Sequence, residues 1–522
     1  MRRPSRCRLP RGACDDAAPM RTLYRARAVH TQSQPAGGEW VLIDGRHVER
    51  VGSGDPPAAD RVVDLPGTTI VPGFVDTHVH LTPTGIALAN VEVELARDAG
   101  ELLSIARDRS ASGEGVVWLQ GFDETRWPDP RPPSLEELDA VTPRPLAIWR
   151  ADGHICLANR AAMEQGGAAP LEGIERGEGG DPTGRVRMQA NDRLHRWFAQ
   201  SLPDREVQDL QLRAAGVAAS RGITSVHEMS MPAGHGLRDL EVFLAHRGRL
   251  PVDAVPIVAT MDVPQIMDLR LSAIGGDLPV DGSIGARTAA VGAPYVDGSG
   301  GGVAYYEDEE LERFFLGAHA AGLQAGVHAI GDRAIEQVLS AWERVYSTLD
   351  SRGRRHFRAR RHRIEHIEMA STSQVERAAM LGIAASIQPT FDALWGQPGG
   401  LYEQGVGPER AAAMNPVRRM LDRGMEVGAG SDSPVTPLDA LLGVHALERH
   451  HDPAQRLGRA EAIRVSTIGG ARLAHQELKK GALVAGAHAD FAAWDDDPFT
   501  TPDVRAPRPV LTVSLGREVF VG

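Results

Sequence analysis

Two histidines one residue apart, His78 and His80, close the apolar run "VPGFVDTHVHL" at residues 71 to 81. On a strand, residues i and i+2 share a face, so both imidazoles can converge on one point at the strand's carboxyl end. Two further histidines end apolar runs in the same way, His328 in "QAGVHAIGD" and His366 in "RHRIEHIE". Asp432 in "VGAGSDSPV" ends another. Four imidazoles and a carboxylate at strand tips make the donor set that a borderline-soft divalent metal prefers, and zinc leads that group.

The elements that must bring these residues together follow from the same pattern. Short β-branched or apolar runs alternate with Ala/Leu/Arg-rich helical stretches, the signature of parallel β/α units. Eight candidate strands centre on residues 71–76, 224–227, 255–259, 278–280, 324–328, 363–366, 383–387 and 426–429. Eight strands close a (β/α)₈ TIM-like barrel, whose active sites sit at the carboxyl ends of the strands. The expected fold is therefore α/β, with residues 71–475 forming the barrel and about 90–215 an inserted subdomain containing "GVVWLQGF" and "PLAIWR". Residues 20–70, with an Asp44-Gly45 hairpin signal, and residues 476–522 read as the two parts of a small β-sandwich built from both chain ends. "DGSGGG" at 297–302 reads as a flexible loop and a candidate lid hinge.

Bulk properties narrow the function. Among 522 residues the net charge is -12, which repels phosphate backbones, so small molecules are the expected partners and nucleic acid is not. No stretch approaches a membrane span, and the expectation is no membrane partner; a homodimer is left open. Three cysteines, Cys7, Cys14 and Cys156, are too few and scattered for a disulfide framework, which points to a reducing, cytoplasmic compartment. Residues 1–19 are arginine-rich without an apolar core and read as a disordered leader, with Met20 an alternative start to Met1. Only Lys479 and Lys480 are lysines among 57 basic residues, so no phosphate-binding G-x-x-x-x-G-K loop exists and no lysine lies in the middle of the chain.

In "GFDETRW", "RADGHICLAN", "DGSIGARTA", "HAIGDRAIEQVL", "SIQPTFDALW" and "KGALVAGAHADFAAWD", together with the runs that carry the histidines and Asp432, the chain resembles the metal-dependent amidohydrolase superfamily. Within it the resemblance is to the amidohydrolase family 3 branch, which includes deformylases of N-substituted formamides, and it covers about residues 40–500. It implies that His78, His80, His328 and His366 ligate metal and that Asp432 is both ligand and proton shuttle. One departure stands out: binuclear members carry a carboxylated lysine before "DGSIG", and here the aligned position is Asp277. Either Asp277 bridges two ions, or one ion sits on His78, His80, His328 and Asp432 while His366 bonds the reacting water or substrate; the short aspartate favours one ion. A solvated loop acid is the other role open to Asp277.

The resemblance also implies a reaction: a metal-bound hydroxide attacks an amide carbonyl, and Asp432 moves the proton to the leaving nitrogen. The expected substrate is an N-substituted formamide or N-acyl amine; a deaminase of an aminated heterocycle and a metal-free scaffold are the alternatives. Trp127, Arg150 and His154 from the insert, and Phe391 and Trp395 after the seventh strand, are candidate substrate-pocket walls. His227 and Glu228 read as support for the ligands, and His450 and His451 as solvent-exposed.

Overall fold

A computed structural model describes residues 20–33, 37–151 and 153–522; the leader expected over 1–19, with Cys7 and Cys14, lies outside the described residues. Eight parallel strands organise the centre: β1 (Phe74–Val79), β2 (Ile223–Ser230), β3 (Asp253–Val258), β4 (Ala273–Ile274), β5 (Gln324–Ala329), β6 (Arg363–His366), β7 (Ala384–Ile387) and β8 (Val427–Ala429). They pair as a three-stranded sheet, β3-β2-β1, and a five-stranded sheet, β4-β5-β6-β7-β8. The sheets meet at both edges. Gly275 N–H donates to Val258 O (2.8 Å) where β3 meets β4. Val79 bridges Ser433, and Asp432 N–H donates to His78 O (2.8 Å), where β8 meets β1.

β1 and β2 are buried at every position, as parallel strands covered on both faces should be. The largest hydrophobic core joins these strands to the helices outside them, with Phe243, Phe315, Trp342 and Phe357 among its aromatic side chains.

The fourth strand departs from expectation. Regular pairing stops at Ile274, and the expected segment, Leu278 to Val280, rejoins β5 only after an excursion: His328 N–H donates to Leu278 O and Val280 N–H to His328 O, both at 3.0 Å, around Pro279. Gly275 and Gly276 turn the chain out of the sheet with φ of 87° and 58°. A Cβ at Gly275 would stand 2.1 Å from Gly326 O, so that turn requires glycine. Asp277 rides on this bulge, a device that re-aims a side chain out of the regular alternation.

The two chain ends share a single seven-stranded sheet rather than two separate ones, with Arg61–Pro72 at its centre between Arg21–His30 and Phe491–Trp494. Its edge strand, His47–Gly52, folds back onto the segment before Phe491: Val48 N–H donates to Ala487 O (2.8 Å). The chain leaves this sheet for β1 at Gly73, where a Cβ would stand 2.0 Å from Thr224 Oγ1.

The insert is a five-stranded sheet, its strands running from Val117–Phe122 to Pro182–Arg187, with its own hydrophobic clusters. Its expected end at 215 falls inside the helix Asp204–Ser220, which packs on β2 and on Leu81–Ala89 and so belongs with the central strands. The "DGSGGG" loop is anchored: Tyr295 N–H donates to Gly300 O (2.8 Å), Val291 N–H to Gly301 O (3.0 Å), and Asp297 pairs with Arg287 (2.7 Å).

Candidate metal centre

The strand ends bring His78, His80, His328, His366, Asp277 and Asp432 into one buried cluster. Asp432 Oδ1 lies 3.2 Å from His80 Nε2 and 3.5 Å from His78 Nε2. Asp277 lies among all four imidazoles, 3.2 Å from His328 Nδ1, 3.5 Å from both His366 Nε2 and His80 Nε2, and 3.7 Å from His78 Nε2. It is 8 % exposed, so it is no solvated loop acid. Two triads have ligand atoms close enough to share an ion: His78, His80 and Asp432, and His78, Asp277 and His366. His328 falls in neither, which departs from the expected set of His78, His80, His328 and Asp432. The reason is Asp277, which holds His328 Nδ1, while Gly282 O accepts from His328 Nε2 (3.3 Å).

The backbone is bent to make this cluster. His366 and Asp432 have φ of 69° and 54°, a left-handed conformation that costs a non-glycine residue about 1–3 kcal/mol and is concentrated at functional sites. Behind them, the Asp76 carboxylate accepts from the N–H groups of His78 (3.1 Å) and Ser431 (3.0 Å), tying β1 to the turn after β8. Gly430 makes the approach possible, since a Cβ there would stand 2.6 Å from His78 N.

Outer hydrogen bonds orient the rings. His78 Nδ1 donates to Glu365 Oε2 (3.1 Å), and Glu365 is held by both arms of Arg363 (2.8 and 2.9 Å). Arg363 also donates to Thr77 O (2.9 Å) and to His227 Nδ1 (2.9 Å), which joins His227 to the same network. His80 Nδ1 donates to Met229 O (2.9 Å). Such partners fix the tautomer that leaves the other nitrogen free for a metal.

These donors fit a divalent cation. His78 Nε2 is buried with no hydrogen-bond partner and faces two carboxylates beyond hydrogen-bond distance. Burial disfavours charge on every group here, yet Asp432 and Asp277 push His80 up to about 10, and Asp277 with Asp281 pushes His328 up to about 9. Burial likewise opposes ionisation of Asp277, and the surrounding imidazoles overcome it, holding its carboxyl well below the usual range. The carboxylates thus favour positive charge at this point, which a divalent cation would supply in place of the ring protons.

A third group, Asp392, His450 and His451, also has converging atoms, but its chemistry differs. Asp452 N–H donates to His450 Nδ1 (3.1 Å), so the ring proton sits on Nε2, which donates to Asn415 O (2.9 Å). His451 Nδ1 pairs with Asp392 Oδ1 (2.5 Å). No lone pair is left on His450 for a metal. Both residues were expected in solvent; His450 is instead 2 % exposed and His451 half-buried, because Asp392 draws them onto the Pro389–Trp395 helix.

Of the expected pocket walls, Phe391 lies against the cluster: its ring stacks on His366 with planes 15° apart and centroids at 6.0 Å, and Trp395 packs on it at 4.4 Å. Trp127 packs in the insert's own core, its indole N–H donating to Ala96 O (2.7 Å). Arg150 pairs with Glu124 (2.9 Å) and Asp123 (3.4 Å), and His154 is exposed on the insert. Glu228 is buried beside β1, accepting from Leu81 N–H (2.8 Å).

Sequence reasoning missed Glu365, Arg363 and Asp281. Arg363 and Glu365 stand i and i+2 on one strand, a spacing that puts opposite charges on the same face and could have marked a buried pair. Asp281 accepts from the N–H groups of Ala290, Ile330 and Gly331 at 2.8–3.0 Å, fixing the loop beside His328.

Comparison with known proteins now places the chain. The amidohydrolase family model Amidohydro_3 matches residues 61–520. The chain belongs to the amidohydrolase family. It is 28% identical over 510 residues to N-substituted formamide deformylase of Arthrobacter pascens, covering 91% of each chain. It is 27% identical over 476 residues to Protein LONG AFTER FAR-RED 3 of Arabidopsis thaliana, covering 83% of this chain and 80% of that one. The solved structure of an uncharacterized metal-dependent hydrolase from Pyrococcus furiosus superposes with a TM-score of 0.78 at 25% identity, over 92% of this chain and all of the other. No helix among the described residues is long and apolar enough to cross a membrane.

Proposed function

We propose that the protein is a metal-dependent hydrolase of a non-peptide carbon–nitrogen bond, acting on an N-substituted formamide or N-acyl amine in the cluster at the carboxyl ends of a (β/α)₈ barrel. The observation that carries this reading is the convergence of His78, His80, His366, Asp277 and Asp432 around an unpartnered imidazole nitrogen. His78, His80 and Asp432, or His78, Asp277 and His366, would hold the ion, with zinc the ion that suits these donors. Both triads draw on the single lone pair of His78 Nε2, which favours one ion per chain. When bound, a divalent ion supplies Lewis acidity: it polarises a carbonyl and brings the acidity of water into the neutral range.

The chain's own residues do the rest. Asp432 takes a proton from the attacking water and returns it to the leaving nitrogen, the transfer that lets an amine depart. Glu365 and Met229 O keep His78 and His80 in their productive tautomers. Phe391 and Trp395 present an apolar wall beside His366, suited to the substituent of a linear amide more than to the ring nitrogens of a heterocycle. The similarity to N-substituted formamide deformylase supports the same substrate class.

The test is a substrate panel of formamides, N-acyl amines, hydantoin-like rings and aminated heterocycles, run on zinc-loaded protein. Turnover of a linear formamide or acyl amine is the expected result, and turnover confined to aminated heterocycles would assign a deaminase instead. Inactivity of zinc-loaded protein across all four classes would return the scaffold alternative. Asp432→Asn should lower kcat on the best substrate by about 10²–10⁴-fold, and full activity in that variant would remove the proposed proton transfer.

A further inference from the structure

The outer nitrogens of three imidazoles in the centre are engaged: His78 by Glu365, His80 by Met229 O, and His328 on both nitrogens by Asp277 and Gly282 O. His366 is the exception. Its Nε2 faces Asp277, while its Nδ1 is buried with no hydrogen-bond partner in the chain. His366 borders a small cavity behind the centre, shared with Gln388, Asp392, Asn415 and His450. Gln388, which lines the same cavity, also has its Oε1 buried without a partner, and the two residues are only 3 % and 5 % exposed.

A buried donor and a buried acceptor left unmade each cost about 1–3 kcal/mol, so two on one cavity call for a common partner. The cavity has room for about one water molecule, and within a largely apolar lining His366, Gln388, Asp392 and Asn415 supply the two or more polar partners that a buried water needs. The bonds nearby leave these two atoms unmade: the Gln388 amide nitrogen lies 3.5 Å from Ser386 O, and the Asp392 carboxylate accepts from His451 and Asn415 with oxygen lone pairs to spare.

We propose that this cavity is a binding site for a single ordered water, which accepts from His366 Nδ1 and donates to Gln388 Oε1 and to the Asp392 carboxylate. The water gives His366 the outer partner that Glu365 gives His78, and fixes the tautomer that turns Nε2 toward Asp277. It also links the centre to the helix that carries Phe391, because Asp392 is the next residue and is clamped by His451. Gln388 is thereby a positioning residue acting through the water and His366. The inference rests on the metal reading of the centre.

The experiment combines a high-resolution crystal structure of zinc-loaded protein with zinc affinity by chelator competition for wild type, Gln388→Leu and Gln388→Glu. A density peak within hydrogen-bond reach of His366 Nδ1 and Gln388 Oε1 is expected in the wild type. Gln388→Leu should lose the peak and bind zinc about tenfold more weakly, while Gln388→Glu, which keeps an acceptor, stays near wild type. A wild-type map with no peak, or with Gln388 bonded directly to His366, would overturn the proposal even if Gln388→Leu fails to fold. So would undiminished zinc affinity in a folded Gln388→Leu. Wild-type protein that takes up no zinc would overturn the metal reading instead, and the map would still decide the water.

Discussion

At the scale of single residues, the candidate centre depends on groups that never touch the reacting atoms. Glu365 is fully buried, and although burial opposes its charge, Arg363 and His78 hold its carboxyl down to about 2. It is therefore ionised throughout the neutral range and keeps His78 Nδ1 protonated, leaving Nε2 available. Glu365→Gln should weaken zinc binding by about 10–100-fold, read by chelator competition; unchanged affinity would mean that His78 needs no such anchor. That His78, His80, His328, His366 and Asp432 meet in one cluster was legible, because each ends an apolar run and strand ends are where such folds place their chemistry. Their supports were less so. A buried carboxylate looks like any exposed one until the arginine two residues away is seen to share its face of β6. Trp127 misled for the converse reason: an aromatic in a motif-bearing segment has the same composition whether it lines a pocket or fills the insert's core.

At the scale of elements, the site is built by departures from regular structure. The eight strands fall close to where the alternation of apolar runs and helices puts them, but the fourth is interrupted by the Gly275-Gly276 turn that carries Asp277 into the cluster. No periodicity reveals such a bulge; a Gly-Gly pair inside an apolar run is the only trace it leaves. The turn after β8 is equally exacting. Gly430→Ala would drive a methyl group to within 2.6 Å of His78 N and 3.0 Å of Asp76 Oδ1. The variant should lose about 1–3 kcal/mol of stability by thermal or denaturant unfolding, with a fall in zinc affinity greater than that of alanine at the open Gly443. Equal behaviour of the two variants would show that the approach of β8 to β1 is not tight.

At the scale of the whole molecule, the sheet from the chain ends is fastened to the central strands by one of the only two lysines. Lys480 is 2 % exposed, and its Nζ lies 2.9 Å from Asp253, the first residue of β3, and 3.1 Å from Asp490, just before the strand Phe491–Trp494. Removing one partner of a buried ion pair costs about 3–5 kcal/mol, so Lys480→Met should be destabilised by that order in denaturant unfolding. The pH dependence follows from the shifts. Burial opposes the charge on Asp253, but Lys480 overcomes it and lowers the carboxyl, so its stabilisation is present above the ordinary carboxylate value and lost as pH falls through the lowered one. Burial likewise opposes the charge on Lys480, but Asp490 and Asp253 raise it, so its share is present below the ordinary lysine value and lost as pH rises through the raised one. Wild-type stability should therefore exceed that of Lys480→Met across the neutral range and converge toward it in acid; a constant gap down to low pH would contradict the assignment. That the ends pair was readable from their Gly- and Pro-divided strands, but that they form one folded-over sheet was not, since strand order depends on contacts hundreds of residues apart. The insert was visible as a gap between the first two central strands, its end blurred because the helix Asp204–Ser220 continues the same composition. What joins these scales is the cluster of side chains from β1, β6 and the turns beside β4 and β8, the place proposed for one cation. Elemental analysis of purified protein, equilibrated with zinc and freed of excess by gel filtration, tests this most directly: about one zinc per chain is the predicted result, and a stoichiometry near zero would contradict the account.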